Sequence, residues 1–370
     1  MRIAAHIAEF VAGLAIVVVV LDSAIRTFVL PRGNGVLLTR FIALSVRAVF
    51  DLAVRPTKTY EGRDRVMALY GPITLLTFPV VWLLGVGTGY ALMFHGTTPS
   101  GWRFAIRLSG SALLTLGFAV PDSAGAVALV FTEAAIGLTL VALLIAYLPT
   151  IYGAFSRREI MVTQLSVRAN TPPVAADLLI RAELAQFTDQ LDEYWQHWEL
   201  WFLELEETHT SLSILPFFRS PNADRSWLTA AGCVLDACAF RLSALDQPFS
   251  AFPAVTIRAG FLSLRAIADT FQVPYNVDPN PDDPIAVAKE EFLAECKRMA
   301  DRGVPMKADL EQAWIDFRGW RVNYDTVLIT LAGLIMAPYA PWVSDRSLTR
   351  RRHRPPVRGA HARSVRQEIR

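Results

Sequence analysis

The sequence predicts an all-α membrane protein: three transmembrane helices, a re-entrant loop between the second and the third, and then a cytoplasmic all-helical domain. Three observations predict it. Of 370 residues, 53% are hydrophobic, and the mean hydropathy of +0.33 exceeds what a water-soluble domain carries. Before residue 155 the apolar residues gather in uncharged runs long enough for the roughly 20-residue crossing of a bilayer. After residue 156 they return at three- and four-residue steps, the period of helices with one buried stripe.

The first transmembrane helix lies within residues 1–30 and centres on FVAGLAIVVVVL, residues 10–21. No small-residue cleavage site follows, which argues against a removable leader. Asp22 and Arg26 stand four apart, placed to pair at the membrane edge. His6 and Glu9 mark the other end, where headgroups and water begin. Residues 31–65 form a linker. Within it, VLLTRFIALSVRAVFDLAVR (36–55) sets Arg40, Arg47, Asp51 and Arg55 on one narrow face, as an amphipathic helix lying in the membrane interface does.

Residues 66–155 hold the second span, Tyr70 to Phe94, and the third, Ala124 to Tyr152. The second is uncharged, and Pro72 and Pro79 are placed to bend it, which a bundle tolerates. The third carries one acid, Glu133, four residues before Gly137. Arginine and lysine set the orientation. Residues 31–65 contain Arg32, Arg40, Arg47, Arg55, Lys58, Arg63 and Arg65, and Arg157 and Arg158 follow the third span at once. The loop between spans two and three offers only Arg103 and Arg107. The N-terminus is therefore expected outside, and residues 31–65 and those beyond 156 in the cytoplasm.

Between the last two spans lies SGSALLTLGFAVPD, residues 109–122. It is too short to cross, is broken at Thr115, Gly117 and Phe118, and stops at Pro121. A span, a half-length helix over 104–114, a kinked return segment and another span make the layout of a re-entrant pore loop. Irregular backbone at membrane depth is tolerated only where protein buries it or water reaches it. The carbonyls of residues 115–119 can then replace the hydration shell of a cation, and Gly117 permits the backbone that aims them.

Thr115, Leu116, Gly117, Phe118 and Ala119 resemble the TVGYG filter of the potassium-channel superfamily, matching it at Thr115, Gly117 and the aromatic Phe118. Leu116, Ala119 and Val120 stand where the family has valine, glycine and aspartate. TEAAIG (132–137) resembles the inner helix of inward-rectifier-type channels, with Glu133 an acid four residues before the Gly137 hinge position. The resemblance covers residues 66–152, and the exit YLPTIYGAFSRRE (147–159) resembles that of bacterial membrane proteins of this ion-channel type. It implies a homotetramer in a bacterial inner membrane. It also implies a filter at residues 115–119, and Glu133 as filter support or cation attractor. Close helix packing is the other reading of Gly137. The departure at Ala119 implies strain, because alanine resists left-handed backbone angles. Potassium ions are cargo in this reading, and no resident cofactor is implied.

Residues 156–345 read as the cytoplasmic helical domain. Residues 174–210 keep helical periodicity, with Trp195, Trp198, Phe202 and Leu205 on one stripe. Further helices are expected at 226–246, 253–270, 285–302 and 307–340, with a proline- and aspartate-rich loop at 273–284. The apolar run 327–343 is expected as a buried core helix, because a fourth span would carry the basic tail outside. Glu206 and His209 have metal-ligand spacing but no second pair, so structural roles are expected. Cys233, Cys238 and Cys296 fit small buried hydrophobes. Residues 346–370 carry nine arginines against one acid, a disordered basic tail suited to anionic lipid. No Walker motif, nucleophile elbow, dinucleotide fingerprint or zinc spacing is present, so neither an enzyme nor a nucleic-acid partner is expected. The expected function is a cation channel for potassium. The alternative is a non-conducting pore scaffold that anchors the helical domain.

Overall fold

The computed structural model describes residues 2–28, 37–57, 59–98 and 101–347. These form thirteen α-helices and no strand. The first six are α1 (Arg2–Phe28), α2 (Leu37–Val54), α3 (Tyr60–Met67), α4 (Tyr70–Thr97), α5 (Gly101–Leu113) and α6 (Ala124–Ala169). Three helical segments, carried by α1, α4 and α6, are long and apolar enough to cross a membrane.

Helix α1 packs along α4 through glycines. A Cβ on Gly13 would lie 2.3 Å from the Gly89 carbonyl oxygen, and one on Gly89 would lie 2.7 Å from that of Gly13. Small residues let two apolar helices approach to backbone distance where lipid supplies no hydrophobic drive. Val17, Val20, Trp82, Val86 and Phe94 fill the seam, and the Trp82 indole N–H donates to Ser23 Oγ at 3.2 Å. Away from the seam, Ile3, Ile7, Val11, Leu14 and Val18 recur at helical steps and are exposed. Pro79 lies inside α4. Pro72 falls in its first turn, where no intrahelical donor is lost, so of the two prolines only Pro79 can bend this helix.

On α2, Arg47 pairs with Asp51 at 2.9 Å and its guanidinium lies 5.5 Å over the Tyr70 ring. Ile42, Phe50 and Val54 are buried, while Leu37, Phe41, Val49 and Leu52 are exposed. Part of the expected charged face is therefore spent on α4. Residues 31–36 lie outside the described residues.

The C-terminal half contains α7 (Ala175–Leu184), α8 (Leu191–Ser211), α9 (Trp227–Ser243), α10 (Phe252–Thr270), α11 (Lys289–Ala300), α12 (Leu310–Arg321) and α13 (Asp325–Ile335). Its core includes Trp195, Trp198, Phe202, Phe240, Phe292 and Phe317. Cys233, Cys238 and Cys296 are free and buried, as expected. Inside this core Arg321 pairs with Asp236 at 2.5 Å and Asp325 at 2.8 Å, and the Tyr324 hydroxyl donates to Asp236 at 2.8 Å. Burial works against the Arg321 charge, but the two carboxylates overcome it and raise its proton affinity.

Two expected helices are broken. The 174–210 periodicity is interrupted after Leu184, where Gln186 turns left-handed (φ 52°) and the Phe187 N–H reaches back to the Ala182 carbonyl at 3.1 Å. The 307–340 run is split at 322–324, where the Asn323 side-chain amide donates to the carbonyls of Gly319 and Trp320. A third helix starts late. Over 285–302 it begins only at Lys289, because the Glu291 carboxylate accepts the Ala288 N–H and caps it there. The apolar 327–343 run is helix only to Ile335, and Val327, Leu328 and Leu331 are core. Of the tail expected from residue 346, only residues 346 and 347 are described. Arg346 pairs with Glu291 and Asp345, so it belongs to the folded part, and residues 348–370 lie outside the described residues.

The two halves meet at residues 212–219. Leu212, Ile214 and Leu215 pack with Leu75, Ile151 and Ala154. Phe218 fills the notch left by Gly71, and Arg219 pairs with Asp64 at 3.0 Å. From α6 the buried Arg158 donates to the carbonyls of Leu215 and Phe218 at 3.1 and 2.7 Å, while pairing with Glu159 at 2.8 Å.

Candidate pore-loop site

Helix α5 has thirteen residues, about 20 Å of helix at 1.5 Å per residue. That falls short of the roughly 30 Å hydrocarbon core. It buries Ala105, Leu108, Ser109, Ser111 and Ala112 against α4 and α6. The chain then turns back through residues 114–122 into α6, whose start is capped by Ser123 Oγ accepting the Ala126 N–H at 3.3 Å.

The end of α5 closes as a Schellman motif. The Leu116 N–H donates to the Ser111 carbonyl at 2.8 Å and the Thr115 N–H to that of Ala112 at 3.0 Å. The left-handed position of that motif is Thr115, with φ 54°. Glycine takes this conformation freely, whereas a β-branched residue there is strained by about 1–2 kcal/mol. Gly117 is left-handed too, at φ 71°. Ala119 is not, so the strain expected at Ala119 sits at Thr115 instead.

A single hydroxyl holds the return segment. Ser111 Oγ accepts the N–H groups of Phe118 at 3.0 Å and Ala119 at 3.2 Å. Leu114, Leu116, Phe118 and Val120 are each more than half exposed, with the Arg107 guanidinium 5.8 Å over the Phe118 ring.

Glu133 lies under α5, fully buried. Its Oε1 accepts from Ser109 Oγ at 2.6 Å, and Ser109 Oγ also lies 2.9 Å from the Gly87 carbonyl. One hydroxyl proton can serve only one of these acceptors at a time. Glu133 Oε2 has no hydrogen-bond partner among the described residues. One residue earlier, Thr132 Oγ1 accepts from the Tyr90 hydroxyl at 2.9 Å. A Cβ on Gly137 would lie 2.4 Å from the Leu113 carbonyl oxygen, so its missing side chain admits the end of α5.

Thus Glu133 and Gly137 meet the helix that leads into the Thr115–Ala119 turn. Asp22 and Arg26 form a local pair at 2.7 Å on α1. Ser109, Ser111 and Tyr90 were not legible as site residues. The one sequence signal was a pair of serines two apart inside an otherwise apolar half-helix. Glu206 and His209 do not converge as ligands, because His209 is buried with Nε2 3.3 Å from Arg158. Burial first, and the Arg158 charge second, hold His209 well below the ordinary histidine range.

No protein-family model, curated protein or solved structure matches this chain.

Proposed function

We propose that this chain is a cation channel, with potassium as the ion, in which four copies surround one path. The observation that carries the reading is the turn after α5. A helix end that glycine would form without strain is built with Thr115, and one hydroxyl then pins the Phe118 and Ala119 amides. Backbone strain held in place by surrounding bonds is a mark of functional sites. The residue 115–119 carbonyls are the candidate ion ligands. Glu133 braces α5 through Ser109 or draws cations by its charge, and Gly137 is the packing point, or hinge, between α5 and α6. The exposed Phe131, Leu138, Ile145 and Tyr152 recur every seven residues along α6, a stripe suited to a neighbouring helix. On this reading the chain sits in a bacterial inner membrane with its N-terminus outside. Residues 156–345 are cytoplasmic, and the tail from 348 reaches anionic lipid.

A second reading, a non-conducting anchor for the helical half, is favoured by Ala119 and Val120 replacing the family's glycine and aspartate. Flux from proteoliposomes, potassium against sodium, separates the two, with native mass measured in mild detergent. A tetramer with potassium flux is expected. Glu133→Ala should lose flux, and Glu133→Gln should retain most of it if bracing dominates. A tetramer without flux for either cation supports the anchor, and a stable monomer overturns the pore.

A further inference from the structure

We propose that His6, Glu9 and His95 form a binding site for one divalent transition-metal ion, zinc by preference, which joins α1 to α4 at the end remote from the helical half. Neither the pore reading nor its rival uses these residues, and the site stands or falls independently of conduction.

The backbone brings the three together. Gly85, Gly89 and Gly96 lie at positions i, i+4 and i+11 of α4, one face of a helix. Each admits α1: Gly85 meets Val20, Gly89 meets Val17 and the Gly13 carbonyl, and Gly96 meets the His6 carbonyl. A Cβ on Gly96 would lie only 2.6 Å from that carbonyl oxygen. This approach sets His6 and Glu9, one turn apart on α1, against His95.

The donor atoms converge. Glu9 Oε2 lies 2.8 Å from His95 Nδ1 and 3.4 Å from His6 Nδ1, and the three ligand atoms fall within 4.8 Å of one another. A tetrahedral zinc with bonds of about 2.0–2.2 Å sets its donors about 3.3 Å apart, so small side-chain rotations seat the ion. Among the described residues no other group of three such side chains comes this close. His6 Nδ1 is buried and makes no hydrogen bond, although it points at a carboxylate. A buried polar atom without a partner calls for an explanation, and a metal ion between it and Glu9 supplies one. The His95 ring stacks on Trp102 at 4.1 Å, which fixes its plane.

Two borderline imidazoles and one carboxylate suit zinc and leave a fourth position for water. Both histidines bind through Nδ1 with their proton on Nε2. His6, Glu9 and His95 keep side-chain exposures of 44%, 28% and 17%, so an ion reaches the site from solvent.

The test is calorimetric titration of zinc into the full chain, purified without a polyhistidine tag, stripped with chelator and held in lipid nanodiscs. Cobalt absorption in the visible range reports tetrahedral ligation in parallel. One zinc per chain is expected, together with intense cobalt bands. His6→Gln, Glu9→Gln and His95→Gln should each weaken binding by at least the roughly 10–100-fold that losing an outer-shell partner costs. His197→Gln, at an exposed histidine of α8, should change nothing. Because the His6 Nδ1 contact with Glu9 is long, at 3.4 Å, and outside hydrogen-bond geometry, His6→Gln is the decisive variant: its metal-free melting point should stay near wild type while zinc binding falls. Absence of stoichiometric binding, or binding indifferent to all three variants, overturns the site.

Discussion

The two halves of this chain use the same apolar residues in opposite directions. In α1, valine, leucine and isoleucine alternate between a thin seam against α4 and an exposed outer stripe. In α8–α13, tryptophan and phenylalanine gather in one core, and the fully buried Arg321 is paired there with Asp236 and Asp325. The first arrangement is stable only where something other than water covers the outer stripe. The second needs no covering, because its core is closed.

The largest break in that comparison comes from the buried charge. Arg321→Ala leaves Asp236 and Asp325 without their partner and should cost about 3–5 kcal/mol. Arg318→Ala, whose partner Asp282 is exposed, should cost under about 1 kcal/mol. Thermal unfolding in detergent compares them, and equal losses would mean the core is not organised around Arg321. Next comes the outer stripe. Val18→Arg should impair membrane insertion by about 2.5–3.5 kcal/mol, whereas Leu203→Arg, on an exposed face of α8, should stay within about 0.5 kcal/mol. Membrane fractionation reads the difference, and equal recovery of both variants would remove the distinction between the halves.

A smaller effect belongs to the junction. His209 is neutral when folded, and its folded pKa lies below the unfolded value of about 6.5. The unfolded chain therefore binds a proton that the folded chain refuses. Stability is fully present above pH ~6.5 and falls as pH drops below it, by up to about 1.4 kcal/mol per pH unit. His209→Gln should flatten this part of the melting-point profile; an unchanged slope would assign it to other groups. The smallest effect sharpens the loop. Thr115→Gly relieves the left-handed strain and should stabilise the chain by about 1 kcal/mol, yet flux should fall. A variant that gains stability and keeps full flux would show that Thr115 is merely a helix terminus.

Uncharged runs announced α1, α4 and α6 because lipid-length apolarity is a property of composition alone. The short helix before Thr115 was legible from its length and its stop at Pro121. Pairings were not legible. Periodicity reports which face is apolar and not which neighbour that face meets, so the bond from Ser109 to Glu133, 24 residues on, left no mark. His95, 86 residues from Glu9, is the same case on a longer scale. Nor did helix ends at Gln186 and Met336 show themselves, since both take left-handed angles without a glycine to signal them. Even the apparent oddity of Ala119 was misplaced, because the left-handed angle falls four residues earlier.

Helix α6 runs unbroken for 46 residues, about 69 Å at 1.5 Å per residue. That is more than twice the thickness of a hydrocarbon core. A helix of that length suits a shaft that spans a membrane and continues beyond it. One end holds Glu133 and Gly137 beneath the Thr115 turn, and the other carries Arg158, gripped by residues 215 and 218. No slack linker separates them, so Arg158 and Gly137 are joined through helix alone. Between them lies a softer joint at Pro149, where the proline cannot donate to the residue 145 carbonyl. Torque from the helical half either passes that joint intact or is spent as a bend there, twelve residues short of Gly137.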